Sequence, residues 1–135
     1  MDKFIKYQLP ACLWAILIFV LSSMPRLSPP LIEVEFADKI YHFLEYLIFG
    51  FLSARLFLSM SSQGRERQAV LISIALGIFL GGTDEIHQVL IISRKASFMD
   101  FLADVAGVLS ASILVWWRLK RRMRAQVEEY PRRKK

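Results

Sequence analysis

Apolar residues in this chain run in blocks and not in amphipathic stripes. Four blocks stand out, at about 7–24, 40–60, 69–92 and 98–117. An α-helix rises about 1.5 Å per residue, so about 20 residues cross a hydrocarbon core of about 30 Å. Each block therefore predicts a transmembrane helix, and the expected fold is all-α, an integral membrane bundle of four spans. Pro25, followed by Pro29 and Pro30, closes the first block, because proline has no backbone donor and clashes with the preceding turn. Residues 1–117 read as one transmembrane domain and 118–135 as a basic tail.

Composition agrees with a bilayer as the solvent: 55% of the 135 residues are hydrophobic and the mean hydropathy is +0.39. The net charge of +6 is unevenly spread. Four crossings place Lys3, Lys6, Arg65, Arg67 and every basic residue after Trp117 on one side, against Arg26, Lys39, Arg94 and Lys95 on the other. The positive-inside rule then predicts cytoplasmic N- and C-termini. Arg55 falls inside the second block, close enough to its cytoplasmic end for a long side chain to snorkel. A signal peptide is the rival reading of the first block, but the apolar run is long for one and no small-x-small cleavage pattern follows. The basic tail directly follows a span and the Trp116–Trp117 pair, which favours contact with anionic lipid head groups over nucleic acid. It is expected to continue the last helix as far as Tyr130, with Pro131 ending it. A lone Cys12 gives no internal disulfide.

Charge changes the picture most where it lies inside the blocks. Ionisable groups in hydrocarbon are costly and usually functional. In the second block Asp38, His42, Glu45 and Tyr46 follow one helical face, and Lys39 sits beside them. In the third, Asp84 and Gln88 share a face while Glu85 is turned by about 100° toward another neighbour. In the fourth, Asp100, Asp104 and Gly107 form a stripe, and Gly107 invites close approach of another helix below the carboxylates. The short connection Ser93–Ser97 brings Arg94 and Lys95 above these acids. All of this falls in the outer half of the membrane, and three independent segments agree on the depth.

The candidate ligand-binding set is thus Asp38, Lys39, His42, Tyr46, Asp84, Glu85, Gln88, Arg94, Asp100 and Asp104. His42, Asp84, Glu85 and Asp100 are the candidates for acid or base chemistry. A blander role competes with each: His42 and His87 as hydrogen-bonded links between helices, and Asp84 with Glu85 as ion-pair partners of Arg94 or Lys39. A histidine with nearby carboxylates is able to ligate a divalent ion, but no H-E-x-x-H spacing and no cysteine ligand appear, so no metal and no cofactor are expected. Proton transport lacks support, since Arg55 is the one polar residue read in the inner half. A nucleophile elbow of the G-x-S-x-G type is absent.

Together, Asp38-Lys39-Ile40-Tyr41-His42 with Tyr46, then Asp84-Glu85-Ile86-His87-Gln88 with Arg94, then Asp100 and Gly107, resemble the VanZ-like membrane proteins. The family pattern is D-K-x-x-H-x-x-x-Y, D-E-x-x-Q with a following Arg, and D-x-x-x-N-x-x-G. Two positions depart from it: Asp104 stands where Asn is usual, exchanging a donor for an acceptor, and Ile91-Ile92-Ser93 precedes Arg94 where Pro or Gly is common. The resemblance implies a small multi-pass protein of the bacterial cytoplasmic membrane, in a family named for a member linked to resistance against glycopeptides such as teicoplanin. It implies no established reaction.

The expected function is binding of an anionic envelope lipid or glycan carrier, with Lys39 and Arg94 holding its phosphate or carboxylate. A hydrolase or transferase acting on such a lipid, and an accessory protein without its own ligand, are the alternatives. Oligomeric state is open, although Gly77, Gly81 and Gly82 allow close helix contact within the chain or between chains.

Overall fold

The computed structural model describes residues 2–24, 34–92 and 94–129. Among them there are four long helices and no strand. A π-helical turn over Phe4–Gln8 leads into α1 (Leu9–Ser22), followed by α2 (Val34–Met60), α3 (Glu66–Gln88) and α4 (Phe98–Glu129). Segments Phe4–Ser22, Ala37–Met60, Glu66–Gln88 and Phe98–Ala125 are each long and apolar enough to cross a membrane. The chain is therefore a four-span helical protein. The closing prolines Pro25, Pro29 and Pro30, Arg26, Ser93 and the expected helix end at Tyr130 and Pro131 lie outside the described residues.

Helix boundaries differ from the hydropathy reading at several ends, with α2 and α3 beginning at Val34 and Glu66 and not at about 40 and 69. The first begins at Phe4, not at about Tyr7: Pro10, within the first turn of α1, offers no N–H, and the wider turn before it accommodates that gap. The third ends at Gln88, so Val89 to Ile92 leave the helix in tight turns, with Leu90 N donating to His87 O at 2.9 Å and Ile91 N to Gln88 O at 3.1 Å. Hydropathy cannot separate these exposed apolar turn residues from one more helical turn. The fourth helix runs past Trp117 to Glu129, in keeping with the expected continuation into the tail.

Ser97 starts α4. Its hydroxyl and its carbonyl both accept from Asp100 N, at 3.3 and 3.0 Å, satisfying a donor that a helix start leaves open. Between α2 and α3, Gly64 takes a φ of 85°, and Glu66 Oε1 accepts from its amide at 3.1 Å.

α2 and α4 form the central pair, α3 packs on both, and α1 lies outside α2. Gly107 makes the central contact possible: a Cβ there would press on Phe43 O and come within 2.8 Å of Leu47 N. Gly50 repeats the device one step further along, where a Cβ would stand 3.0 Å from Ala111 Cβ, and Gly77 fits against Val108 of α4. Gly77 and Gly81 are thus spent on contacts within the chain. Tyr46, Phe49 and Val108, with Ile18 of α1, form the buried apolar centre.

Beyond that centre, Ser53 and Ser73 share a 2.6 Å hydrogen bond between α2 and α3, and Ser112 is also buried. The half of the bundle expected to be the inner one therefore holds buried serines in addition to Arg55, which corrects the sequence reading. Arg55 stacks its guanidinium over Tyr7 and Phe51 at 5.5 and 5.6 Å, and Arg121 lies 3.9 Å from the Trp117 ring centre. Cations over aromatic rings at this end suit a membrane interface.

Candidate functional site

At the opposite end, the charged residues of three helices converge, and most are buried. His42, Asp84, Glu85, Gln88, Asp100 and Asp104 all lie in the interior. The α-helical period aligns Asp38 with His42, Asp84 with Gln88 and Asp100 with Asp104, four residues apart on one face each. Close approach at Gly107 then brings the α2 and α4 stripes into direct contact.

Two ladders join α2 to α4. Lys39 Nζ stands 3.5 Å from Asp100 Oδ1, and His42 Nδ1 stands 2.9 Å from Asp104 Oδ1. With Asp104 ionised, its oxygen can only accept, so Nδ1 carries the hydrogen, and in the neutral ring Nε2 is left as the basic edge. Asp104 is wholly buried against Gly81, whose missing side chain leaves room for the carboxylate: a Cβ there would lie 3.2 Å from Oδ2.

On α3, Gln88 Nε2 donates to Asp84 Oδ2 at 3.1 Å. Glu85, turned away from Asp84 as its phase requires, accepts from the backbone amide of Ser97 at 2.6 Å. That bond ties the end of α3 to the start of α4. Lys39 and Arg94 therefore do not pair with Asp84 or Glu85 as the ion-pair reading had it. Lys39 serves Asp100, and Arg94 reaches back to α1, donating from Nη2 to Leu21 O and from Nε to Met24 O, each at 3.2 Å. These carbonyls stand at the end of α1, where helical partners run out, and a guanidinium suits them.

Arg94 thereby caps a cavity of about 470 Å³ between α1, α2 and α3. Leu21, Ser22 and Met24 form its α1 wall; Asp38, Tyr41, His42 and Glu45 face it from α2; Asp84 and Gln88 come from α3. Apolar groups line one side and ionisable groups the other, the lining an amphiphile's headgroup region requires. Tyr46 is not part of this wall. It lies one turn deeper, wholly buried, and lines a smaller cavity of about 100 Å³ with Ile18 and Asp84. Glu85, Asp100 and Asp104 lie on the α4 side of His42, behind the cavity wall. His42, Asp84 and Gln88 belong to both the cavity and the buried network.

Glu45, left out of the candidate set, lines the cavity; its position three residues after His42 was the signal for it. Tyr41 and Ser22 also line it and carried no signal beyond their apolar surroundings. His87 is a packing residue: its Nε2 lies 3.0 Å from Ser23 Oγ and its ring stacks on Phe19 at 4.4 Å. The indole of Trp14 donates to Glu45 O at 2.9 Å, giving α1 a further attachment beside the cavity.

The structure also gathers two donor sets of the histidine-plus-carboxylate kind. Ligand atoms of Asp38, His42 and Asp100, and separately of His42, Asp84 and Glu85, lie within 4.8 Å of one another. His42 is common to both.

No curated protein and no solved structure matches this chain. The family model described as VanZ/LLP1 matches residues 7–120, which takes in most of the first and fourth spans, all of the second and third, and every residue of the cavity and its network. The chain belongs to the VanZ/LLP1 family.

Proposed function

We propose that this protein binds the phosphate-bearing headgroup of an envelope lipid, an anionic lipid or a lipid-linked glycan carrier, in the cavity capped by Arg94. The mixed lining of that cavity carries the reading. An acyl chain lies along Leu21 and Met24, and the phosphate meets Arg94, which keeps N–H groups beyond the two it gives to α1. Hydroxyl or amine groups of the headgroup donate to Asp38, Glu45 and Asp84, since carboxylates accept such bonds well. The many acids make a purely anionic ligand a poor fit, so the headgroup carries donors beside its phosphate.

The membrane is the bacterial cytoplasmic membrane in this proposal, with the cavity on the extracytoplasmic side. The distribution of Lys and Arg supports that orientation. Access to such lipids is also the route by which the protein would alter sensitivity to teicoplanin-type glycopeptides, a reading that rests on the family resemblance.

Native mass spectrometry of the protein extracted in mild detergent tests the binding. The wild type should carry a phosphate-containing lipid, and Arg94→Gln should lose most of it, while Lys95→Gln retains it. Equal retention in Arg94→Gln rules out phosphate capture at this residue.

Hydrolysis of the bound lipid is the second reading, favoured by the 2.9 Å His42–Asp104 pair, which leaves Nε2 able to act as a base. Turnover of a phosphate-ester lipid that vanishes in Asp104→Leu and persists in Lys95→Gln supports it.

A further inference from the structure

We infer a site for one divalent transition-metal ion where α2 meets α3, with His42 Nε2, Asp84 Oδ1 and Glu85 Oε1 as its ligands. Donor atoms of the three side chains lie within 4.8 Å of one another, and all three residues are buried. Ligands about 2.1 Å from a shared ion stand at most about 4.2 Å apart, so a set gathered this closely completes through small side-chain movements.

Each ligand is already oriented through its other polar atom. His42 Nδ1 is held by Asp104, Asp84 Oδ2 by Gln88, and Glu85 Oε2 by the Ser97 amide. Outer partners of this kind fix ring and carboxylate orientation around metal ions. The carboxylate–histidine pair in particular leaves Nε2 as an electron-pair donor.

Two further atoms point to a ligand here. Glu85 is 7% exposed, and its Oε1 is buried without a hydrogen-bond partner. The Tyr46 hydroxyl, wholly buried one turn below His42, also lacks a partner and has Asp104, Asp84 and Glu85 among its charged neighbours. Two carboxylates with a neutral imidazole carry two negative charges, which a divalent ion cancels in a medium hostile to net charge.

The second donor set, Asp38, His42 and Asp100, is the weaker choice, because Asp100 is engaged by Lys39. One nitrogen and two oxygens without sulfur suit Zn²⁺ or Mn²⁺ better than Mg²⁺ or Ca²⁺, which prefer all-oxygen shells. His42 and Asp84 also line the 470 Å³ cavity, so a coordination position not used by the protein faces the headgroup space. The site does not depend on the lipid reading.

Detergent-purified protein, stripped by chelator and equilibrated with Zn²⁺, should hold about one equivalent by elemental analysis, as should Lys95→Gln. Glu85→Gln should bind at least 100-fold more weakly, and Asp104→Asn about 10- to 100-fold more weakly, both with an unchanged size-exclusion profile. X-ray absorption at the zinc edge of the wild type, which needs no variant, should show one imidazole nitrogen and carboxylate oxygens. Substoichiometric zinc in the wild type, a zinc shell without imidazole, or full occupancy in folded Glu85→Gln would overturn the site. Lipid retention is measured on the metal-free protein, so loss of one reading is seen separately from loss of the other.

Discussion

The contact between α2 and α4 is made in two different ways along its length. Near the Arg94 end it is polar, with Lys39 opposite Asp100 and His42 opposite Asp104. Deeper in, it is steric, with Gly107 against the backbone of Phe43 and Leu47, and Gly50 against Val108 and Ala111. The steric half has no alternative arrangement, since backbone fills the space a side chain would need. The polar half has several, because carboxylates, an imidazole and a lysine can exchange partners at small cost in geometry. Packing thus fixes the helices, and the charged layer above is held in register without being needed to create it. A site that must bind and release something gains from that division.

Changes in the steric half should do the most damage. Gly107→Leu forces backbone apart where a Cβ alone would stand 2.8 Å from Leu47 N, and we expect almost no monodisperse protein after extraction. Gly77→Ala meets only the Val108 side chain, at 2.6 Å, which can shift, so a loss of about 1–3 kcal/mol in denaturant titration is expected.

In the polar half the outcome depends on what is left behind. Asp104→Leu strands His42 in the interior, and removal of one partner from a buried pair costs about 3–5 kcal/mol. Asp104→Asn keeps an oxygen acceptor for Nδ1 and should lose less than about 1.5 kcal/mol. Equal damage from the two would mean that charge, and not the hydrogen bond, holds the layer together. Ser53→Ala, which removes the hydroxyl pair with Ser73, should cost about 1 kcal/mol, and a double-mutant cycle with Ser73→Ala would isolate that bond.

What the sequence makes legible follows the same division. Spacings of four within Asp38–His42, Asp84–Gln88 and Asp100–Asp104 reveal which residues share a face, and block boundaries reveal their common depth. Gly107 is legible as a close-approach point. Cross-helix partners are not, because they depend on how far each helix rotates about that contact. Lys39 therefore chooses Asp100, a pairing that no one-dimensional spacing encodes. Arg94 was further out of reach: it binds carbonyls of α1, and a carbonyl has no side-chain signature. The end of α3 was obscured because Val89, Leu90 and Ile92 are apolar yet lie in an exposed turn. Ser53 and Ser73 escaped notice for a related reason, since serine scarcely alters hydropathy in a span.

Asp84 separates a binding site from a helix lock most directly, because it faces both the cavity and the buried network. Membrane abundance and bound lipid should be measured together in Asp84→Asn, by immunoblot and native mass spectrometry. The headgroup reading predicts abundance equal to wild type, since Gln88 keeps an acceptor and the steric half is untouched, with lipid occupancy reduced about tenfold or more, as loss of a charge-assisted hydrogen bond implies. Low abundance, or normal abundance with undiminished lipid, would contradict it.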